Sequence, residues 1–248
     1  MSAHTTETYK GYTIEIHNDD DPFETPRDWD NLGFMAFWHR RMWLGDKPKE
    51  VQKYSPDEWF RRIVSDECWK SLEQSEKYEA WVETRGEYDN ADIDTYIYEL
   101  ELEELIEAVE KDFVILPVHA YEHGGITIST GRFSCMFDSG QLGWIYVSKK
   151  DAMKEFSVKV WSKELEKKVI AILEGEVETY DQYLTGDIHG YKIYAPDDEN
   201  CDDELHRCWG FYGSKDCMDE AKSQIDWYVE NSMNNGLEMS QTLPIGIE

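Results

Sequence analysis

Three apolar, strand-like segments, "FVILPVHAYEHG", "GITIST" and "LGWIYVSK", fall between Phe113 and Lys149, separated by Gly-rich turns. "FVILPV" and "WIYV" are too apolar for edge strands, so residues 112–147 are expected to form the centre of a sheet. Pro117 must then sit where the ladder needs no donor. Along the rest of the chain strands and helices come in clusters rather than in strict alternation. The fold class this implies is α+β, with a mainly antiparallel central sheet, packed helices and an acidic helical excursion.

Other elements follow from period and punctuation. "YTIEIH" at 12–17 alternates as a strand, and "GFMAFWHRRMW" reads as a second one. "SPDEWFRRIVSDECWKSL" opens with Ser55 as N-cap, Pro56 in the first turn and Glu58 closing a capping box. Residues 73–96 are polar and acidic with isolated aromatics, an excursion rather than core. Tyr98, Leu102, Leu105, Ile106 and Val109 then recur at helical spacing. Long helices are expected from 162 and 214 and should pack on the 112–147 strands. "IHGYKIYAP" and "HRCWGFYG" read as paired strands joined by an acidic loop. The organisation expected is one domain over 1–248, with 50–111 a helical acidic insert and 236–248 a mobile tail.

Charge narrows the function classes. The chain carries 53 Asp and Glu against 25 Lys and Arg, a net of −28, which disfavours contact with nucleic acid or an anionic membrane. The acids are clumped. Residues 73–112 hold fifteen acids and three bases, and "ELELEELIEAVEKD" at 99–112 alone holds seven carboxylates and one Lys. Helical period places Glu99, Glu103, Glu107 and Glu110 on one face, beside further acids such as Asp92 and Asp94. Like charges at i,i+4 oppose their own helix. One such helix is about three-fold too sparse to match the charge density of duplex DNA, at one charge per ~1.7 Å, and several side by side would approach it.

No signal-peptide pattern opens the chain and no apolar run is long enough to span a bilayer, which fits the cytoplasm of a host cell. The five cysteines are then expected to be reduced. Cys201, His206, Cys208 and Cys217 lack the spacing of a zinc site, so no metal and no cofactor are expected.

Several blocks, "YKGYTIEIHNDDDPFETPRDWDNLG", "HRRMWLGD", "DSGQLGWIYVSK", "EVETYDQYLTGD" and "CWGFYG", resemble an acidic protein family encoded by bacteriophages and mobile elements. The resemblance covers roughly residues 9–48 and 112–229. It implies a small intracellular phage product of a non-structural kind and carries over no functional residues.

The leading reading is a non-catalytic binding protein, an anti-defence inhibitor mimicking nucleic acid on a basic site of a host protein. Glu99, Glu103, Glu107, Glu110, Asp92 and Asp94 are its partner-binding residues, and the partner is a basic, nucleic-acid-binding defence enzyme. An alternative is a small phage enzyme, hydrolase-like or metal-dependent, built on His119, His123, Asp138 and Ser139, with His39 a further candidate. By the period of two, His119, Tyr121 and His123 share one strand face, yet no nucleophile elbow or HExxH fixes their geometry. A third reading is an accessory homo-oligomeric protein. "HRR" at 39–41 is the one notable basic cluster, expected to neutralise the acidic loop at 19–30.

Overall fold

A computed structural model describes residues 4–20, 24–85, 91–196 and 204–235. In chain order the elements are β1 (Thr5–Tyr9), β2 (Tyr12–Asn18), β3 (Phe34–Phe37), α1 (Pro48–Val51), α2 (Pro56–Ile63), α3 (Trp69–Glu73), α4 (Glu76–Arg85), α5 (Ile93–Glu99) and α6 (Leu102–Asp112). They continue as β4 (Phe113–Glu122), β5 (Ile126–Ser129), β6 (Ser139–Ser148), α7 (Lys149–Glu155), α8 (Lys163–Thr185), β7 (Ile188–Tyr194), β8 (Glu204–Tyr212) and α9 (Ser214–Asn235). The strands form two antiparallel sheets with packed helices, an α+β fold. The chain divides into two compact units, one of residues 1–26 with 179–248 and one of residues 27–178. The 236–248 segment, expected as a mobile tail, lies outside the described residues.

The first unit holds the sheet β1-β2-β7-β8. β1 and β2 are joined at Lys10-Gly11, both at positive φ (50° and 89°), the twist a two-residue hairpin turn requires and glycine supplies without strain. Ile14, Ile16, Tyr191 and Ile193 present one face, and α9 closes it with Cys217, Ala221 and Ile225 at a spacing of four. The helix from 214 therefore packs on this sheet and not on the 112–147 strands. Those strands cannot serve both helices, because β2 recruits β7 from the far end of the sequence and builds a second sheet.

The second unit carries the order β3-β6-β4-β5, with the 112–147 strands as three of its four members. β5 pairs β4 only over His119–Glu122, so no described strand borders Pro117 on that side and the missing donor is harmless. Helices cover both faces. Phe60, Val64, Leu105, Ala108 and Val109 from α2, α6 and the π-helical turn Val64–Cys68 bury against Ala36 and Tyr146. On the opposite face Leu173 of α8 and Ile145 close over Gly33. The capping box forms as its residues predict, with the Ser55 amide donating to the Glu58 carboxylate at 2.9 Å.

The 73–96 stretch is not a bare polar excursion. Tyr96 is buried, and Tyr78 and Trp81 of α4 pack on it at centroid distances of 5.3 and 5.1 Å. This aromatic cluster joins the same core as α2 and α6. The isolated aromatics of the sequence thus meet only in the folded chain.

Cys68, Cys135, Cys208 and Cys217 are free thiols, and Cys201 lies outside the described residues. Burial pushes the thiols of Cys68 and Cys217 up to about 12. Alkylation of the folded protein at pH 8 should therefore label Cys135 and Cys208 while leaving Cys68 and Cys217 unmodified until denaturant is added. Peptide mapping reads the result directly.

Candidate functional site

Helical spacing alone makes 98–112 one helix, but the chain breaks it. Leu100 is extended (φ −68°, ψ 137°) and buried, ending α5, and Glu101 begins α6 as its N-cap. Glu104 accepts from the Glu101 amide at 3.0 Å. The carbonyls of Ile97 and Leu100 accept from the Arg61 guanidinium, at 3.5 and 2.8 Å, so a distant cation secures the end of α5. Tyr98, placed by its period on the apolar face, is instead 76 % exposed.

The expected four-carboxylate face is consequently divided. Glu99 lies on α5, where it is paired with Arg85 and accepts from Trp81 Nε1 at 3.0 Å. Glu107 is paired with Lys77 of α4. Hydrogen bonds, from Trp81 and Arg85 to Glu99 and from Lys77 to Glu107, hold both carboxyls below the usual range. Asp92 caps α5, its Oδ1 accepting from the Thr95 amide at 2.7 Å. Asp94, Glu103 and Glu110 remain exposed, and no described cation pairs with any of them. Glu103 and Glu110, seven residues apart on α6, stack along one face at a rise of ~10 Å.

The histidine alternative comes apart more completely. His119 is buried in β4, and its Nδ1 has no hydrogen-bond partner among the described residues. Burial, aided by the charge of Arg132, lowers its pKa. His123 is just past the strand end with a side chain 75 % exposed, its Nδ1 3.6 Å from Asp138 Oδ2. Ser139 Oγ donates to the Cys135 carbonyl. No hydrogen bond or ion pair joins His119 or His123 to Ser139 among the described residues, so the serine has no adjacent base.

His39 takes a different part. Its Nδ1 accepts from the amides of Arg41 (3.2 Å) and Met42 (3.0 Å), and its Nε2 donates to Glu122 Oε1 at 3.0 Å. Both ring nitrogens are engaged, which leaves none to abstract a substrate proton. Arg41 Nη2 donates to Glu122 Oε2 at 2.9 Å. Of "HRR", His39 and Arg41 thus bind Glu122, a residue 81 positions from Arg41 in the chain, and neither pairs with a described residue of the acidic loop at 19–30. Glu122, Asp138 and Ser139 line a cavity of about 620 Å³ that neither His119 nor His123 enters.

The described residues contain no group of three or more His, Cys, Asp or Glu placed to hold a metal ion, and no helix long and apolar enough to cross a membrane. No protein-family model, curated protein or solved structure matches the chain.

Proposed function

We propose that this is a non-catalytic, phage-type binding protein whose acidic surface occupies a basic site on a host protein. In this reading it acts in the host cytoplasm as an anti-defence inhibitor, taking the place of nucleic acid on a defence enzyme. The observation that carries the reading is the state of the acids on α5 and α6. Among the described residues Asp94, Glu103 and Glu110 stay exposed and unpaired, although Lys77 and Arg85 of α4 already pair with Glu107 and Glu99 nearby. Exposed carboxylates left uncompensated in a segment of net −12 offer a field that steers a cationic partner at low salt.

Capture from bacterial lysate tests this, at ~0.05 M and ~0.5 M salt. A nucleic-acid-binding protein should be retained at low salt, released at high salt and displaced by duplex DNA. Retention that is indifferent to both salt and DNA would overturn the reading.

A further inference from the structure

The cavity at the end of strands β3, β6 and β4 departs in chemistry from the rest of this acidic chain. Its inner surface includes Trp38, Ala120 and Leu142, while Arg40, Arg41 and Phe137 stand at the solvent side. The ladder is irregular beside it. A bulge between Val118 and His119 leaves Leu142 without a partner on β4, and such bulges bend a strand and open its end. Trp38 is held in place, its Nε1 donating to the Tyr54 carbonyl at 2.8 Å and its ring meeting Trp144 edge-on.

The cavity lining carries two guanidinium groups, Arg40 and Arg41, beside two carboxylates, Glu122 and Asp138. Both oxygens of Glu122 are taken, by His39 and by Arg41. Asp138, which also lines the cavity, has its Oδ2 3.6 Å from Nδ1 of His123, a residue that does not line it. Arg41 uses one of its five N–H groups on Glu122, and no described residue pairs with Arg40. Two guanidinium forks with vacant donors thus border a recess of mixed polarity whose apolar side is formed by Trp38, Ala120 and Leu142 and whose rim carries Phe137, a residue 99 % exposed. Guanidinium groups match the planar, bidentate geometry of carboxylate and phosphate oxygens. An aromatic body would lie against Trp38 and Phe137.

We propose that this cavity binds a small organic oxyanion, a carboxylate or phosphate carried on an aromatic group, with Arg40 and Arg41 holding the anion and Trp38 and Phe137 the ring. The site is independent of the acidic helices and of any reading of their partner.

Titration calorimetry of the full chain with phenyl phosphate, benzoate, inorganic phosphate and benzylamine tests it. Phenyl phosphate or benzoate should bind saturably, at Kd values of about a millimolar for ligands of this size, and the tighter of the two identifies the anion. Inorganic phosphate should bind more weakly, and benzylamine not at all. Arg40→Ala and Arg41→Ala should each raise Kd about tenfold. Phe137→Ala should weaken the aromatic ligands and leave inorganic phosphate unchanged. Arg40 and Phe137 are exposed, so these variants keep the fold, which circular dichroism verifies. Absence of saturable binding, benzylamine binding as tightly as the anions, or an Arg40→Ala variant that binds like the parent would each overturn the assignment.

Discussion

Arg27→Ala is expected to destabilise the protein by about 3–5 kcal/mol, because it removes the cation from a buried charge cluster and leaves the anions behind. The Arg27 side chain is 5 % exposed and its guanidinium is fully engaged. Nε and Nη2 donate to Asp46 at 2.9 and 2.6 Å, Nη1 donates to Glu176 at 3.0 Å, and Nη2 also reaches the Gly33 carbonyl at 2.7 Å. Burial opposes the charge on Arg27, yet its bonds to Asp46 and Glu176 outweigh burial and raise its pKa. Truncation leaves two carboxylates facing each other at low exposure with no cation between them.

Replacing all three residues by apolar ones offers no escape, unlike many buried ion pairs. Glu176 also accepts from the amides of Leu32 (2.7 Å) and Gly33 (3.2 Å), and Asp46 from that of Met35 (2.8 Å). An apolar triple variant would strand these three donors. Glu176→Gln retains an acceptor for the amides and should lose less than Arg27→Ala. Arg27→Lys cannot reproduce the bidentate bond and should fall between parent and Ala. Urea denaturation of the four proteins gives the order.

Gly143→Ala should cost about 3 kcal/mol or more, for a purely steric reason. A Cβ at this position would stand 2.0 Å from the carbonyl oxygen of Ala36 and 2.9 Å from Phe37 Cδ1. Gly143 is opposite Phe37 on β3 and opposite Val118 on β4, so the intruding methyl group meets backbone that is fixed on both sides. Thermal unfolding with a Gly140→Ala control separates this clash from any general effect of losing a strand glycine, since nothing lies within 4 Å of a Cβ at Gly140.

What the sequence made legible was local. Ser55, Pro56 and Glu58 announce a helix start because the capping box needs only residues three apart. The apolar runs in β4 and β6 announce strands for the same reason. Whatever depends on a distant partner stayed hidden. The period through Tyr98, Leu102 and Leu105 runs smoothly across Leu100, and the helix breaks there because Leu100 turns into the core while Arg61, 39 residues earlier, binds its carbonyl. The second sheet depends on β2 pairing with β7 across most of the chain. The buried charge cluster draws Arg27, Asp46 and Glu176 from "PRDWDNLG", "WLGD" and "EVETYDQYLTGD", segments whose residues give no sign of meeting.

The candidate site divides in the same way. Acidity as a property of 73–112 was evident, but which carboxylates stay free depended on α4 delivering Lys77 and Arg85 to Glu107 and Glu99. His119 and His123 share a strand face by period, and their fates differ because the first lies within β4, where β5 pairs with it, while the second lies beyond the strand end.

In the proposed function the unpaired acids, not the paired ones, are the working surface. The most direct measurement is the affinity for the captured partner as a function of salt, for the parent, for Asp94→Asn/Glu103→Gln/Glu110→Gln and for Glu99→Gln/Glu107→Gln. Gln keeps helix propensity nearly unchanged, and the triple variant breaks no ion pair seen among the described residues. The triple variant should bind about tenfold or more weakly, with a flatter dependence of log Kd on log salt. The double variant should fall close to the parent in affinity. Equal affinity and equal salt slope for triple variant and parent would contradict the proposal, leaving Asp94, Glu103 and Glu110 as groups that only keep the surface hydrated.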